Sequence, residues 1–245
     1  MDLGLSGKAF VVTGASEGLG LACARELLRE GAVVTVSSRS EDKVADAVTD
    51  LDGDWADKVA GIAADNGEPA AAEQIVAAAL SRWNRLDGLV ISVGGPPPTT
   101  ALSAADDDWE RSFRSVFLGA VRLIRAAVPA MSQGGAVVLV LSTSVKSPLT
   151  GLGISNGLRP GLAMVAKDIA DELGPRGIRV LSVLPGLFNT ARGASASRRE
   201  LDHIPLGRIG DPAEFGRAVA FLVSPAASYI TGSAVAVDGG ALRAL

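Results

Sequence analysis

The stretch Thr13-Gly14-Ala15-Ser16-Glu17-Gly18-Leu19-Gly20 spaces its glycines four and then two residues apart. Such spacing does a specific job. One glycine makes a tight bend, one lets a pyrophosphate approach the backbone, and one lets the following helix pack close to the preceding strand. The backbone N–H groups around Gly14, Ser16, Gly18, Leu19 and Gly20, with the positive end of a helix, then favour phosphates. A glycine pattern alone is weak evidence. Here an apolar strand, Ala9–Thr13, precedes it, a helical pattern over Gly18–Glu30 follows, and a second strand, Ala32–Ser37, comes next. That context points to dinucleotide binding; a purely structural turn is the alternative.

Nucleotide choice rests on the end of the second strand, where an acidic residue would bind the ribose 2′-hydroxyl of NAD. The sequence reads Ser37-Ser38-Arg39. A guanidinium suits a phosphate, so Ser38 and Arg39 favour NADP(H), with NAD(H) and a solvated surface arginine as the alternatives. Glu17 cuts the other way by adding a carboxylate to the phosphate turn. Asp65, ending the third strand, can accept from an adenine amino group or serve only as a turn residue.

The elements that must carry these residues follow from hydrophobic pattern. Short apolar runs at Val59–Ala64, Leu86–Val93, Ala136–Ser142, Ile178–Leu184 and Ala234–Val237 read as further strands. Helical patterns at Glu41–Leu51, Glu68–Trp83, Asp106–Met131, Gly157–Leu173 and Pro212–Val223 separate them. The runs lack alternation, so both faces are buried, as in parallel sheets. The expected fold class is α/β: a Rossmann-type doubly wound parallel sheet of about seven strands with helices on both faces. Residues 1–245 read as one domain, with 189–204, rich in Gly, Ser and Arg, as a substrate lid or a plain surface loop.

Composition narrows the function classes. A net charge of −4 and a pI near 5.1 leave no basic excess for nucleic acid or an anionic membrane. No run spans a bilayer, and no signal peptide is read at the start. Cys23 is alone, which suits a reducing cytoplasm. One histidine and one cysteine give no metal-ligand spacing, so no metal is expected.

Together these residues resemble the short-chain dehydrogenase/reductase family over essentially the whole chain, and most closely a 3-oxoacyl-(acyl-carrier-protein) reductase-like subgroup. The carrying motifs are Thr13–Gly20, Pro185-Gly186-Leu187-Phe188-Asn189-Thr190 and Ser228–Gly240. The resemblance implies that Pro185 and Gly186 pass near the nicotinamide, that Thr190 contacts its carboxamide, and that the chain forms a homotetramer or homodimer. It also implies an Asn, Ser, Tyr, Lys catalytic set. Here the serine position is Ser142, but the tyrosine position is Ser155, the lysine position Arg159 and the asparagine position Val116. The usual Asn-Asn-Ala-Gly after the fourth strand reads Ile91-Ser92-Val93-Gly94. A minority subgroup shares such changes, which marks a lineage rather than random decay.

The altered set changes how a proton can be supplied. Reducing a ketone builds charge on oxygen and needs a proton donor. Ser155 is far less acidic than a tyrosine, and Arg159 stays protonated, so it cannot relay protons. Arg159 can hold ribose hydroxyls or an oxyanion, and Lys146 can supply a proton or a charge. The plain alternatives are a salt bridge for Arg159, a surface lysine for Lys146, a helix-start cap for Ser155 and a loop tie for Ser142. The leading reading is an NADP(H)-dependent carbonyl reductase or alcohol dehydrogenase acting on a small, free or carrier-bound carbonyl or enone. Two others stand beside it: a conjugated double-bond reductase, and a non-catalytic member that binds nucleotide or a partner. His203 reads as a loop residue, Trp109 and Phe113 as core or subunit contacts, Asp106–Asp108 as a helix start, and Pro96-Pro97-Pro98 as a stiff loop.

Overall fold

The protein is seen in a computed structural model that describes residues 2–191 and 201–244. Its strands are β1 (Ala9–Thr13), β2 (Val33–Ser38), β3 (Val59–Ala63), β4 (Leu86–Ile91), β5 (Met131–Val140), β6 (Arg179–Pro185) and β7 (Ala234–Val237). The helices are α1 (Gly18–Arg29), α2 (Glu41–Asp52), α3 (Ala71–Trp83), α4 (Asp106–Ser112), α5 (Gly119–Ala127), α6 (Gly153–Leu173) and α7 (Pro212–Val223). The seven strands form one sheet in the order β3-β2-β1-β4-β5-β6-β7. Every pairing is parallel. This is the expected doubly wound Rossmann-type sheet.

The sheet's two faces explain its continuous apolar runs. β1 and β4 are buried throughout, whereas edge strand β3 is buried only at Val59 and edge strand β7 is half-buried or exposed at every position. On one face, Cys23 and Leu27 of α1, Leu51 of α2, and Phe215 and Val219 of α7 join a core with the strands. On the other, Ile75 of α3, Leu123 of α5 and Leu162 of α6 do the same. Parallel strands bring all their C-terminal ends to one rim. The chain leaves β1 toward β2 on one side and later returns through β4 on the other. That reversal opens a crevice at the rim, the place where ligands bind such sheets.

Several boundaries differ from the sequence reading. The pattern over Asp106–Met131 is not one helix. α4 ends at Ser112, a π-helical segment spans Phe113–Leu118, and a 3-10 turn covers Val128–Ala130 with Pro129 inside it. Proline lacks the N–H that would continue the helix, and Met131 already belongs to β5. α6 begins at Gly153, four residues before Gly157, because the Gly153 N–H donates to the Thr99 carbonyl at 2.8 Å and locks the first turn there. α3 starts at Ala71 rather than Glu68, since 68–71 forms turn bonds to Asp65 and Glu68.

Two buried polar groups fasten the far end of the sheet. Arg179 on β6 donates to the carbonyls of Leu222 (2.7 Å) and Ser224 (2.9 Å), the last groups of α7, and burial pushes its pKa down. Asp87 accepts from the Ala9 N–H at 2.8 Å and from both nitrogens of the Arg85 fork. Orphan backbone groups are thereby satisfied.

Candidate cofactor and catalytic site

The glycine turn leaves the rim between β1 and α1. Thr13 ties β1 to β4: its hydroxyl donates to the Ser92 carbonyl at 2.8 Å and accepts from the Ser92 N–H at 3.1 Å. Gly14 has φ +56°, and a Cβ there would run into the Ser92 carbonyl oxygen. A Cβ on Gly20 would run into the carbonyl oxygen of Gly14. These two glycines therefore let the turn fold over the strand ends. Gly18 differs. It has φ +61°, and a Cβ there would make only ordinary contact with the Thr190 side chain, its methyl at 3.7 Å. Glu17, the N-cap of α1, makes no side-chain cap bond. The first N–H groups of α1, at Gly18, Leu19 and Gly20, thus lack a side-chain cap beside open backbone, which fits a pyrophosphate.

The expected nucleotide residues gather along the same rim. Ser16 donates to the Ser38 hydroxyl at 3.0 Å, joining the turn to β2. Arg39 is exposed, and among the described residues no hydrogen bond or ion pair engages its guanidinium. Asp65 accepts from the Gly67 N–H at 2.8 Å, so its turn role is realised while part of the residue stays accessible. Ser92 is buried, and Gly94 is exposed, with open space where a Cβ would stand. Pro185 ends β6. Gly186 donates to the Val237 carbonyl at 3.0 Å, and a Cβ on it would crowd the Asp238 backbone. Thr190 stands over Gly18, which closes the ring from the β6 side. Of the expected lid 189–204, residues 192–200 lie outside the described residues; His203 is exposed.

Catalytic candidates converge between the end of β5 and the start of α6. Ser142 caps a 3-10 turn over Thr143–Val145, its oxygen accepting from the Ser144 N–H at 3.1 Å. The loop-tie role is therefore realised, and the half-buried hydroxyl keeps its own proton to donate. Ser155 is not a helix-start cap. It is the third residue of α6, buried, with its oxygen 3.3 Å from that of the equally buried Ser144. One turn on, buried Arg159 donates to the Val140 carbonyl at 3.0 Å. Lys146 is exposed at the end of the 3-10 turn. Val116, at the asparagine position, is buried inside the π-helical segment.

Sequence reasoning missed several residues. Ser144 pairs with Ser155, and no local pattern signals it. Asn156 clamps the loop before α6, accepting from the Leu149 N–H at 3.0 Å and donating to the Leu149 carbonyl at 2.8 Å. Lys43 on α2 pairs with Glu17 at 3.1 Å. Thr99, beside the start of α6, has a buried hydroxyl without a partner among the described residues. Trp109 is half-buried against Gly157, and Phe113 stacks on Phe117 with ring centres 5.3 Å apart but is itself exposed, so Phe113 is not a core residue of this chain. The chain's one tyrosine, Tyr229, is fully exposed, and among the described residues no acidic or histidine cluster can hold a metal. Among those residues also, no helix is long and apolar enough to cross a membrane.

The arrangement can bind a dinucleotide along one rim and present hydroxyls and a buried guanidinium beside it. Comparison with known proteins bears on the fold, the family and the nucleotide. Residues 14–241 match a family model described as enoyl-(acyl carrier protein) reductase. The chain is 34% identical to dehydrogenase/reductase SDR family member 2, mitochondrial, of Homo sapiens, covering 98% of this chain and 88% of that protein. It is also 34% identical to dehydrogenase/reductase SDR family member 4 of Sus scrofa, covering 96% and 88%. Among solved structures, L-sorbose reductase of Gluconobacter frateurii, complexed with NADPH and L-sorbose, superposes with a TM-score of 0.94 at 32% identity over 100% of both chains. A blue fluorescent protein from a metagenomic library, in complex with NADPH, gives a TM-score of 0.90 at 28% identity over 96% of this chain and 98% of that one. The shared sheet, the glycine turn and near full-length similarity lead to one conclusion: this chain belongs to the short-chain dehydrogenase/reductase family of oxidoreductases.

Proposed function

We propose that the chain is an NADP(H)-dependent carbonyl reductase or alcohol dehydrogenase whose proton-handling site is rebuilt without tyrosine. The observation that carries this reading is the buried Ser144–Ser155 hydroxyl pair, one helical turn from Arg159 and on the loop of Ser142. Gly14, Gly18, Leu19 and Gly20 would hold the pyrophosphate, Ser38 and Arg39 the 2′-phosphate, and Pro185, Gly186 and Thr190 the nicotinamide side. NADPH in the solved structures of two similar proteins supports that choice over NAD(H). When bound, the nucleotide supplies the hydride.

The chain's own groups must then meet charge that builds on the substrate oxygen. Ser142 donates its proton toward that oxygen as a hydrogen bond. Ser144 holds Ser155 in place for a second. Arg159, buried against the Val140 carbonyl, contributes a fixed positive charge, worth more in a water-poor crevice than in solvent. Neither serine is acidic enough to match a phenol, so Lys146 or water passes the final proton. A second reading, a conjugated double-bond reductase, is favoured by the same absence of a phenol: there the oxygen needs electrostatic help more than a strong acid. The substrate class is a small carbonyl or enone, free or carrier-bound, and the assembly a homodimer or homotetramer in a reducing cytoplasm.

Consumption of NADPH with matched panels of saturated ketones and enones tests this. Turnover of ketones that falls about a hundredfold in Ser142→Ala and in Arg159→Gln supports oxyanion stabilisation by these groups. Turnover of enones alone selects the second reading, and unchanged turnover in both variants rejects the assigned roles.

A further inference from the structure

The phosphate turn contains a charge of the wrong sign, and the structure shows what answers it. Glu17 stands at the N-cap of α1 in an extended conformation, φ −162° and ψ 171°, and its side chain caps nothing in the turn but reaches Lys43 of α2. Its carboxylate meets the Lys43 ammonium at 3.1 Å across 26 residues of sequence. Both side chains remain more than half exposed, 69% for Glu17 and 56% for Lys43, so a ligand can reach them.

Lys43 stands where local helix electrostatics disfavour it. α2 is capped by Ser40, whose oxygen accepts from the Lys43 N–H at 3.3 Å. That places Lys43 in the first turn, at the positive end of the helix dipole, where Glu41 and Asp42 belong and a cation does not. Its tertiary partner is Glu17. The rim beside Arg39 carries three carboxylates, Glu17, Glu41 and Asp42, against two cations, Arg39 and Lys43. Removal of Lys43 leaves one cation against three anions, a field that repels a 2′-phosphate carrying its own negative charge.

We propose that Lys43 is a second determinant of nucleotide choice: it neutralises Glu17 and, with Arg39, makes the rim acceptable to a 2′-phosphate. This rests on the NADP(H) reading above but does not follow from it, because Arg39 alone would satisfy that reading. Lys43 acts partly through Glu17, so it is a positioning residue as well as a charge. When the phosphate arrives, the ammonium can be shared between phosphate and carboxylate without leaving the rim.

The test is calorimetric titration of the full chain with NADPH and NADH, using Lys43→Ala, Lys43→Arg, Glu17→Gln and the Glu17→Gln/Lys43→Ala pair. Lys43→Ala is expected to weaken NADPH about tenfold and NADH about twofold or less, with a shallower salt dependence for NADPH. Lys43→Arg restores the preference. In the Glu17→Gln background, removal of Lys43 costs about threefold or less, because the charge it answered is gone. Equal losses for NADPH and NADH, or a Lys43→Ala effect unchanged by Glu17→Gln, overturn the proposal while leaving NADP(H) binding intact. Binding of neither nucleotide by the unsubstituted chain overturns the cofactor reading itself, and this proposal with it.

Discussion

The hydroxyl oxygens of Ser144 and Ser155 lie 3.3 Å apart, one on the 3-10 turn after β5 and the other in the first turn of α6. Ser155 stands at the position where the family resemblance implies a tyrosine. A serine side chain ends several ångströms short of where a phenol oxygen would reach, so it needs support to keep one orientation. Ser144 provides that support. Ser144→Ala should lower turnover about tenfold with nucleotide affinity unchanged. The Ser144→Ala/Ser155→Ala pair should be no slower than Ser155→Ala alone, because the two act as a unit. Steady-state rates and nucleotide titrations on the three variants check this, and additive losses would contradict it.

The glycines of the rim separate into two kinds. Gly20→Ala drives a methyl into the Gly14 carbonyl and must push α1 off the sheet. It should cost about 1–3 kcal/mol of stability and weaken NADPH binding by more than about tenfold. Gly94→Ala meets nothing within 4 Å. It should change stability by about 0.5 kcal/mol or less. Urea unfolding of both variants measures the difference.

Low pH should loosen the start of α7. The Arg208 fork beside Glu214, with the backbone N–H of Asp211, holds the Glu214 carboxyl down at about 2 from an ordinary 4.5. A depressed folded-state pKa contributes stability above the unfolded value and loses it as pH falls through the folded one. The window therefore runs from about 4.5 down to about 2. The Tm gap between the unsubstituted chain and Glu214→Gln should shrink across that window, and a gap that stays constant would show that the carboxylate's charge is not what matters.

Most of the fold was legible because burial on both sheet faces leaves strands as unbroken apolar runs, and glycine spacing reports a local turn. β1, α7 and β7 match their sequence-read bounds for that reason. What stayed hidden depends on contacts distant in sequence. The break at Phe113–Leu118 has no proline or glycine at its start, so periodicity alone reads through it. The start of α6 is set by Thr99, far upstream, and not by Gly157. Ser142, Ser155 and Arg159 were placed by family spacing, yet only the packing of α6 against the end of β5 reveals Ser144 and the Arg159 bond to Val140. The Glu17–Lys43 pair likewise joins two helices that sequence order keeps apart.

Nucleotide binding is the property on which every assigned role depends. Titration of the purified chain with NADPH and NADH by calorimetry should give NADPH affinity in the micromolar range, about tenfold tighter than NADH and weakened by Arg39→Ala, the effect of losing one charge-assisted phosphate contact. Heat of binding from neither nucleotide would contradict it and leave a partner-binding member of the family in its place.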